Sequence, residues 1–175
     1  LENQEKEQVP DVTICCEVID SPESLNSITV QLSNEKLLSL LPIFKKTGRV
    51  GGMLDIIGIG TKEKYYFAST KNIDENSLLN AVKVILESED ITIITYNVKE
   101  LYTWCLCHNT EIKCKFFDLM VAEYLIDALA SSYSIPNLAK KYLGMDIEMP
   151  IEKKEKSKQI ELEQVGDNSV ELLGK

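Results

Sequence analysis

The sequence predicts an α/β fold in which helices flank a central mixed β-sheet. Strand-like runs joined by tight turns dominate the first half, and helices alternate with short apolar strands in the second half. The chain has 175 residues, 44% of them hydrophobic and 27% charged, which is typical of one globular domain. No apolar run is long enough to cross a bilayer, so we expect no membrane association.

Charge and cysteine content narrow the possible functions. Nineteen Lys and Arg against 28 Asp and Glu give a net charge of −9, which repels phosphates and disfavours autonomous DNA binding. The five cysteines are an odd number and include the adjacent pair Cys15 and Cys16. This pattern argues against a disulfide framework and predicts a reducing, cytoplasmic compartment.

In the first half, alternation of apolar and polar residues and turn chemistry place the elements. A β-rich run at 12–19 and a turn at 20–22 precede a predicted strand at Ile28–Leu32. Leucines and Phe44 at helical spacing predict a short helix within 34–46, with Pro42 near its end. Strand-like runs within 49–60 and 65–68, separated by a charged turn, predict a hairpin.

In the second half of the chain, helix caps and apolar stripes indicate the elements more clearly than the patterns in the first half do. Asp74 is predicted to cap a helix with an apolar stripe, and Gly144 to end the helix that begins near Ser134. The other elements predicted here are a buried parallel strand at 91–95, a helix at Val98–Cys107, a strand near 115–117 and a helix at 118–130 whose face joins Leu119, Met120, Tyr124, Leu125 and Leu129.

The composition divides the chain into three parts. Residues 1–11 are a polar N-terminal segment, residues 12–149 form the predicted domain, and residues 150–175 form a charged linker with a marginal last helix. Because the first residue is Leu1 rather than Met, we expect a piece of a longer polypeptide.

Four blocks of the sequence belong together in order and spacing, and with their connections they cover residues 12–145: Phe117–Asp127, Leu138–Leu143, Thr95–Lys99, and the pair Ile56–Gly60 and Tyr65–Phe67. These blocks resemble the 3′–5′ exonuclease domain of bacterial DNA polymerase I, a ribonuclease-H-like fold of the DnaQ-like exonuclease type. The first is similar to the family's F-D helix, the third to its G-x-N-x-K motif, and the last pair to its second and third strands. The resemblance implies a mixed sheet flanked by helices.

The resemblance also implies a site of two divalent cations held by carboxylates. The family supplies these carboxylates as D-x-E on its first strand, as the Asp of N-x-K-x-D, and as the Asp of a late Tyr-x-x-x-Asp. Here the first-strand region, taken as 49–55, has only Asp55, and Leu101 stands at the second position with Glu100 one residue away. The late candidate is Asp167, preceded by Glu163 instead of Tyr, and we expect the chain to end before that motif.

We therefore predict a vestigial, inactive exonuclease-like domain with no metal or cofactor of its own. By resemblance, the parent protein is a DNA-directed DNA polymerase of replication and repair that binds Mg²⁺ and DNA in domains C-terminal to this one. The domain's predicted partners are those remaining domains, and we expect a monomer. Two alternatives stay open: an active exonuclease with a rearranged site of Asp55, Glu100 and Asp118, and a stand-alone interaction domain.

Several other residues have structural interpretations. Asp118 is predicted to be an N-cap, and Trp104 and Tyr124 to be core aromatics. A zinc site is disfavoured at the cluster Cys105, Cys107, His108 and Cys114, because C-x-C on a helix points its sulfurs about 200° apart. The cysteines are predicted to be buried, inert thiols, and the lone histidine has no nucleophile beside it.

Overall fold

The computed structural model describes residues 15–45 and 52–147, and all structural statements below refer to them. They form a six-stranded mixed sheet and five helices. In chain order the elements are β1 (Cys15–Ile19), α1 (Pro22–Leu32), β2 (Leu37–Lys45), β3 (Met53–Gly60), β4 (Lys64–Ser69), α2 (Glu75–Leu86), β5 (Thr92–Thr95), α3 (Val98–Cys107), β6 (Lys115–Asp118), α4 (Leu119–Ile126) and α5 (Ile135–Leu143).

The strand order is β1-β4-β3-β2-β5-β6. Strands β2, β3 and β4 form an antiparallel meander, to which β1 adds in parallel beside β4. Strands β5 and β6 continue the sheet in parallel on the other side of β2. The mixed α/β fold predicted from the sequence is therefore confirmed.

The prediction of a helix within 34–46 was wrong, because this segment is the central strand β2. Leu38 and Leu40 are about 1% exposed on this strand, and a short leucine-rich run fits a buried strand as well as a helix. Strand β2 pairs with β5 only over residues 37–39, so Pro42 lies where β2 has β3 alone as its partner. A proline without an N–H group is tolerated on such an edge.

The strand predicted at Ile28–Leu32 was also wrong, because these residues are the second half of α1. Ser21 caps this helix by accepting the N–H of Ser24, and Pro22 occupies its first turn. Leu25, Thr29 and Leu32 are its buried residues, and their spacing is helical. The alternation at 28–32 was too short to reveal this longer period.

Most other elements match the predictions. Asp74 caps α2 by accepting the Ser77 N–H at 3.0 Å, β5 is parallel to both neighbours, and α3 has the predicted bounds. Gly144 ends α5 in the left-handed region, with φ of 66°. The helix predicted at 118–130 is shorter, since α4 ends at Ile126.

The core forms from β2, β3, β5 and the buried faces of α1, α2 and α3. Trp104 on α3 is fully buried, and its indole N–H donates to Glu75 Oε1 at 2.7 Å. The same oxygen accepts the backbone N–H of Leu54 at 3.1 Å. These two part-buried hydrogen bonds tie α2, α3 and β3 together.

The predictions for residues 1–11 and 150–175, including Glu163 and Asp167, lie outside the described residues. Among the helices that are described, none has the length and hydropathy needed to cross a membrane.

Candidate functional site

The candidate site lies at the carboxyl ends of the parallel strands β2, β5 and β6. Strands β5 and β6 end in register, with Thr95 opposite Asp118, and α3 and α4 begin directly beyond them. In open α/β sheets this edge is where ligands bind, because loops and helix N-termini converge there. Of the three predicted site residues, Glu100 and Asp118 come from the elements at this edge.

Asp118 is the buried acid of the edge, and it is 9% exposed. Its Oδ1 accepts the backbone N–H groups of Asn97 at 3.2 Å, Met120 at 2.8 Å and Val121 at 3.4 Å. Its Oδ2 accepts the N–H of Val98 at 2.7 Å. The interpretation of Asp118 as an N-cap is confirmed, and the carboxylate caps α3 as well as α4.

Asn97 explains why α3 needs this cap. It occupies the N-cap position of α3 with φ of 57°, and its own side chain makes no capping hydrogen bond. Asparagine tolerates the left-handed region, and the turn it makes directs two backbone N–H groups toward Asp118. Burial raises the pKa of the neighbouring Tyr96 phenol, and the charges of Asp118 and Glu100 add to this shift.

The first strand of the site is β2 rather than the 49–55 region, so that assignment was wrong. Residues 53–60 form β3, which is the second strand of the meander, and β2 precedes it and pairs with β5. The error followed from the mistaken helix at 34–46. Strand β2 reads Leu-Leu-Ser-Leu-Leu-Pro-Ile-Phe-Lys and contains no acidic residue.

Asp55 lies on β3, at the position where the β2–β3 register shifts between Ile43 and Phe44. It is the extra residue of this β-bulge, a feature that redirects a side chain locally. Lys45 Nζ lies 2.8 Å from Asp55 Oδ1. The carboxylate therefore has a basic partner from the end of β2.

Glu100 and Leu101 occupy the first turn of α3 and face different environments. Glu100 is exposed, whereas Leu101 is fully buried in the core. The position on α3 where the resemblance places a metal ligand is therefore occupied by a leucine that packs in the core. Within the described ranges, no three His, Cys, Asp or Glu side chains are grouped so that they could hold a metal ion.

The cysteines differ in how deeply they are buried. Cys105 and Cys114 are buried, and burial raises their pKa to about 12 and about 11, so both are inert thiols as predicted. Cys107, the third cysteine of this cluster, is exposed, which corrects the prediction that it is buried. Cys15 and Cys16 are exposed as well. His108 Nδ1 lies 2.8 Å from the Trp104 carbonyl oxygen.

A buried acid on α4 was missed by sequence reasoning. Glu123 is 4% exposed and accepts hydrogen bonds from Lys141 Nζ and Tyr142 Oη, each at 2.5 Å. These contacts join α4 to α5.

The expected burial of Tyr124 was wrong, since its side chain is 53% exposed and packs edge-on against Tyr133. Trp104, in contrast, is a core aromatic as predicted.

The Glu123 contacts predict a loss of stability in acid. Hydrogen bonds from Lys141 and Tyr142 hold the pKa of Glu123 below its ordinary value of 4.5. The carboxylate therefore stabilises the fold above that ordinary value, and this contribution is lost as the pH falls through the lowered pKa. Thermal unfolding measured from pH 7 to pH 3 should show a weaker dependence on pH in Glu123→Gln. An unchanged dependence in this variant would contradict the prediction.

The strand order, the parallel strands at the site edge and the helices beginning there are those of a ribonuclease-H-like α/β domain. Residues 52–151, more than half of the chain, match the family model of the DNA polymerase I ribonuclease H-like domain. The chain therefore belongs to this family. No curated protein sequence matches it significantly.

Solved structures share the fold at low sequence identity. RNase D of Escherichia coli, an exoribonuclease involved in structured RNA processing, has a TM-score of 0.62 at 17% identity, with 75% of this chain and 34% of that chain covered. The EXO domain of Aedes aegypti Nibbler gives 0.60 at 12% identity, with 76% and 70% covered. The POL domain of Pol1 from M. smegmatis, in complex with DNA primer-template and dNTP, gives 0.61 at 13%, with 76% and 23% covered.

The chain spans about a third of the length of the E. coli RNase D chain and less than half of the RRP6 catalytic core from Trypanosoma brucei. At these identities the likeness establishes the fold alone.

Proposed function

We propose that this chain is a vestigial 3′–5′ exonuclease-like domain that serves as a structural module of a DNA-directed DNA polymerase. The observation that carries the proposal is the composition of the site edge. The central strand β2 has no acidic residue, and the buried Leu101 occupies the direction of a metal ligand on α3. Phosphodiester hydrolysis of this type depends on two divalent cations, which need several carboxylates close together.

The remaining carboxylates do not fit a pair of Mg²⁺ ions. Asp118 already accepts four backbone N–H groups, so its lone pairs are directed into two helix N-termini. Asp55 faces Lys45, and Glu100 projects from an exposed position. We therefore assign no catalytic step and no metal to this domain. Mg²⁺ is expected at the polymerase site of the parent protein.

The proposed role is to provide a packed platform for the rest of the polymerase. Membership of the DNA polymerase I family supports this role, since the family model describes one domain of a polymerase. DNA would then be bound by the parent protein in cytoplasmic replication and repair, and the domain itself would remain monomeric. The net charge of −9 agrees with a domain that does not guide a single DNA strand on its own.

A nuclease assay tests the proposal. The 175-residue chain is incubated with 3′-labelled single-stranded DNA while Mg²⁺ or Mn²⁺ is titrated from zero to about 10 mM, a range that saturates ordinary two-metal sites. We expect no release of mononucleotides above the background without metal.

The double variant Asp55→Asn, Glu100→Gln provides the matched control, because it removes two of the three candidate ligands and spares the Asp118 cap. If the parent releases mononucleotides in a metal-dependent manner and the double variant does not, the rearranged active site is correct and the proposal is wrong. Equal release from both proteins identifies a contaminating nuclease only if a mock purification without the protein shows the same release, and otherwise contradicts the proposal.

A further inference from the structure

Helix α4 and the residues after it present an apolar surface. We define the α4 surface by Tyr124, Leu125, Ile126, Leu129, Tyr142 and Leu143, all of which are at least half exposed. The exposed fractions reach 77% at Leu125, 70% at Ile126 and 95% at Leu129. Large exposed apolar side chains in this number are typical of an interaction site.

The burial of α4 is the reverse of that of an ordinary surface helix. Its sequence, Leu-Met-Val-Ala-Glu-Tyr-Leu-Ile, is apolar on all sides, yet its single buried residue is Glu123. The inward contact of α4 is therefore the polar one to Lys141 and Tyr142, and the large aliphatic side chains are left outside. A helix that is apolar on every side is normally enclosed.

The course of the chain indicates what encloses it. Helix α5 is fixed to α4 through Tyr142, and the described chain leaves α5 past the exposed Leu143 and Met145. The remaining residues, 148–175, therefore begin five residues after Leu143, which belongs to the α4 surface. Within them, a Lys- and Glu-rich stretch precedes a second group of apolar side chains, namely Ile160, Leu162, Val165, Val170, Leu172 and Leu173.

We infer that residues 160–173 cover the α4 surface. The stretch before them, residues 148–159, has 12 residues. A linker of that length spans roughly 20 Å, which is enough to bring the segment to the surface. A tethered segment meets its site at an effective concentration in the millimolar range, so it competes well against separate molecules. A second copy of the chain is a poorer occupant, because a net charge of −9 on each copy opposes self-association.

Thiol labelling tests this inference on the full 175-residue chain. In Leu125→Cys the new thiol should react about tenfold more slowly than in Leu106→Cys, if the segment protects it. Leu106 is the matched control, since it is also a helical leucine and is 72% exposed. Fragmentation of the labelled peptides assigns the label to position 106 rather than to the adjacent Cys105 or Cys107, and the peptide around position 125 contains no native cysteine.

The second step is to weaken the segment. Adding Leu172→Ser and Leu173→Ser to both labelled variants should remove the difference, because Leu125→Cys then reacts at the rate of Leu106→Cys. Equal labelling rates of the two leucine positions before this change would overturn the inference. So would slow labelling of Leu125→Cys that survives the serine substitutions or that depends on protein concentration, which identifies another part of the protein or a second copy.

A double-mutant cycle gives an independent readout. The pair Leu125→Ser, Ile126→Ser and the pair Leu172→Ser, Leu173→Ser should each lower Tm by about 3–6 °C, and the quadruple variant should fall by less than their sum. Additive shifts, or no shift from the segment pair, would overturn the inference. None of these measurements depends on nuclease activity, so the inference and the proposed function can fail separately.

Discussion

Replacing Asp118 by alanine should lower the free energy of unfolding by about 3–4 kcal/mol, because one carboxylate closes the N-termini of two helices. Four backbone N–H groups lose their acceptor in Asp118→Ala, two on α3 and two on α4. A single ordinary cap contributes about 1 kcal/mol, and buried N–H groups left without a partner add to the loss. Urea unfolding followed by circular dichroism measures the effect.

Asp74 provides the matched control for this prediction. It is an exposed N-cap that accepts one backbone N–H and one hydroxyl, both from Ser77, and it serves α2 alone. Asp74→Ala should therefore cost about 1 kcal/mol. Comparable losses in the two variants would show that Asp118 acts as an ordinary cap, and a gain of stability in Asp118→Ala would be the behaviour of a strained metal ligand instead.

Replacing Leu101 by aspartate should have the largest effect, a loss of about 4–5 kcal/mol. This substitution restores the acidic residue of the N-x-K-x-D pattern on α3. Since Leu101 is fully buried, the new carboxylate lies in the core without a charged partner. Leu101→Asn is the control of similar shape, and it should cost about 3 kcal/mol because no full charge is buried.

Divalent cations should not rescue Leu101→Asp. A latent two-metal site would bind the ions in the folded state only, and ions at 100 times their dissociation constant would restore about 2.7 kcal/mol. We expect Mn²⁺ to change the stability of Leu101→Asp no more than that of Leu101→Asn. Selective stabilisation of the aspartate variant would reveal other metal ligands at this edge and would contradict the proposed loss of the metal site.

Local signals explain which elements were predictable. The N-terminus of α2 depends on Asp74 and Ser77, which are three residues apart, and the C-terminus of α5 depends on Gly144 alone. Because these signals are local, both helix ends could be predicted from the sequence. Strand β2 could not be assigned in the same way, because Leu38 and Leu40 owe their burial to β3 and β5. Its identity depends on pairing with residues far away in the chain.

The candidate site shows the same division. Asp118 stands directly before an apolar run, and this position predicts that it caps α4. Its second role, as the cap of α3, depends on Asn97 and Val98, which lie 20 or more residues away in the chain. Glu123 was missed for a similar reason, since its partners Lys141 and Tyr142 belong to α5. A glutamate amid the apolar residues of α4 was the one available signal.

Binding of Mn²⁺ to the 175-residue chain tests the proposed loss of the metal site most directly. Electron paramagnetic resonance of free Mn²⁺, titrated from about 10 µM to 1 mM into the protein, counts the bound ions without requiring any nuclease activity. We expect no saturable binding that differs between the parent and the Asp55→Asn, Glu100→Gln variant. Two saturable ions per chain in the parent, lost in that variant, would contradict the proposal.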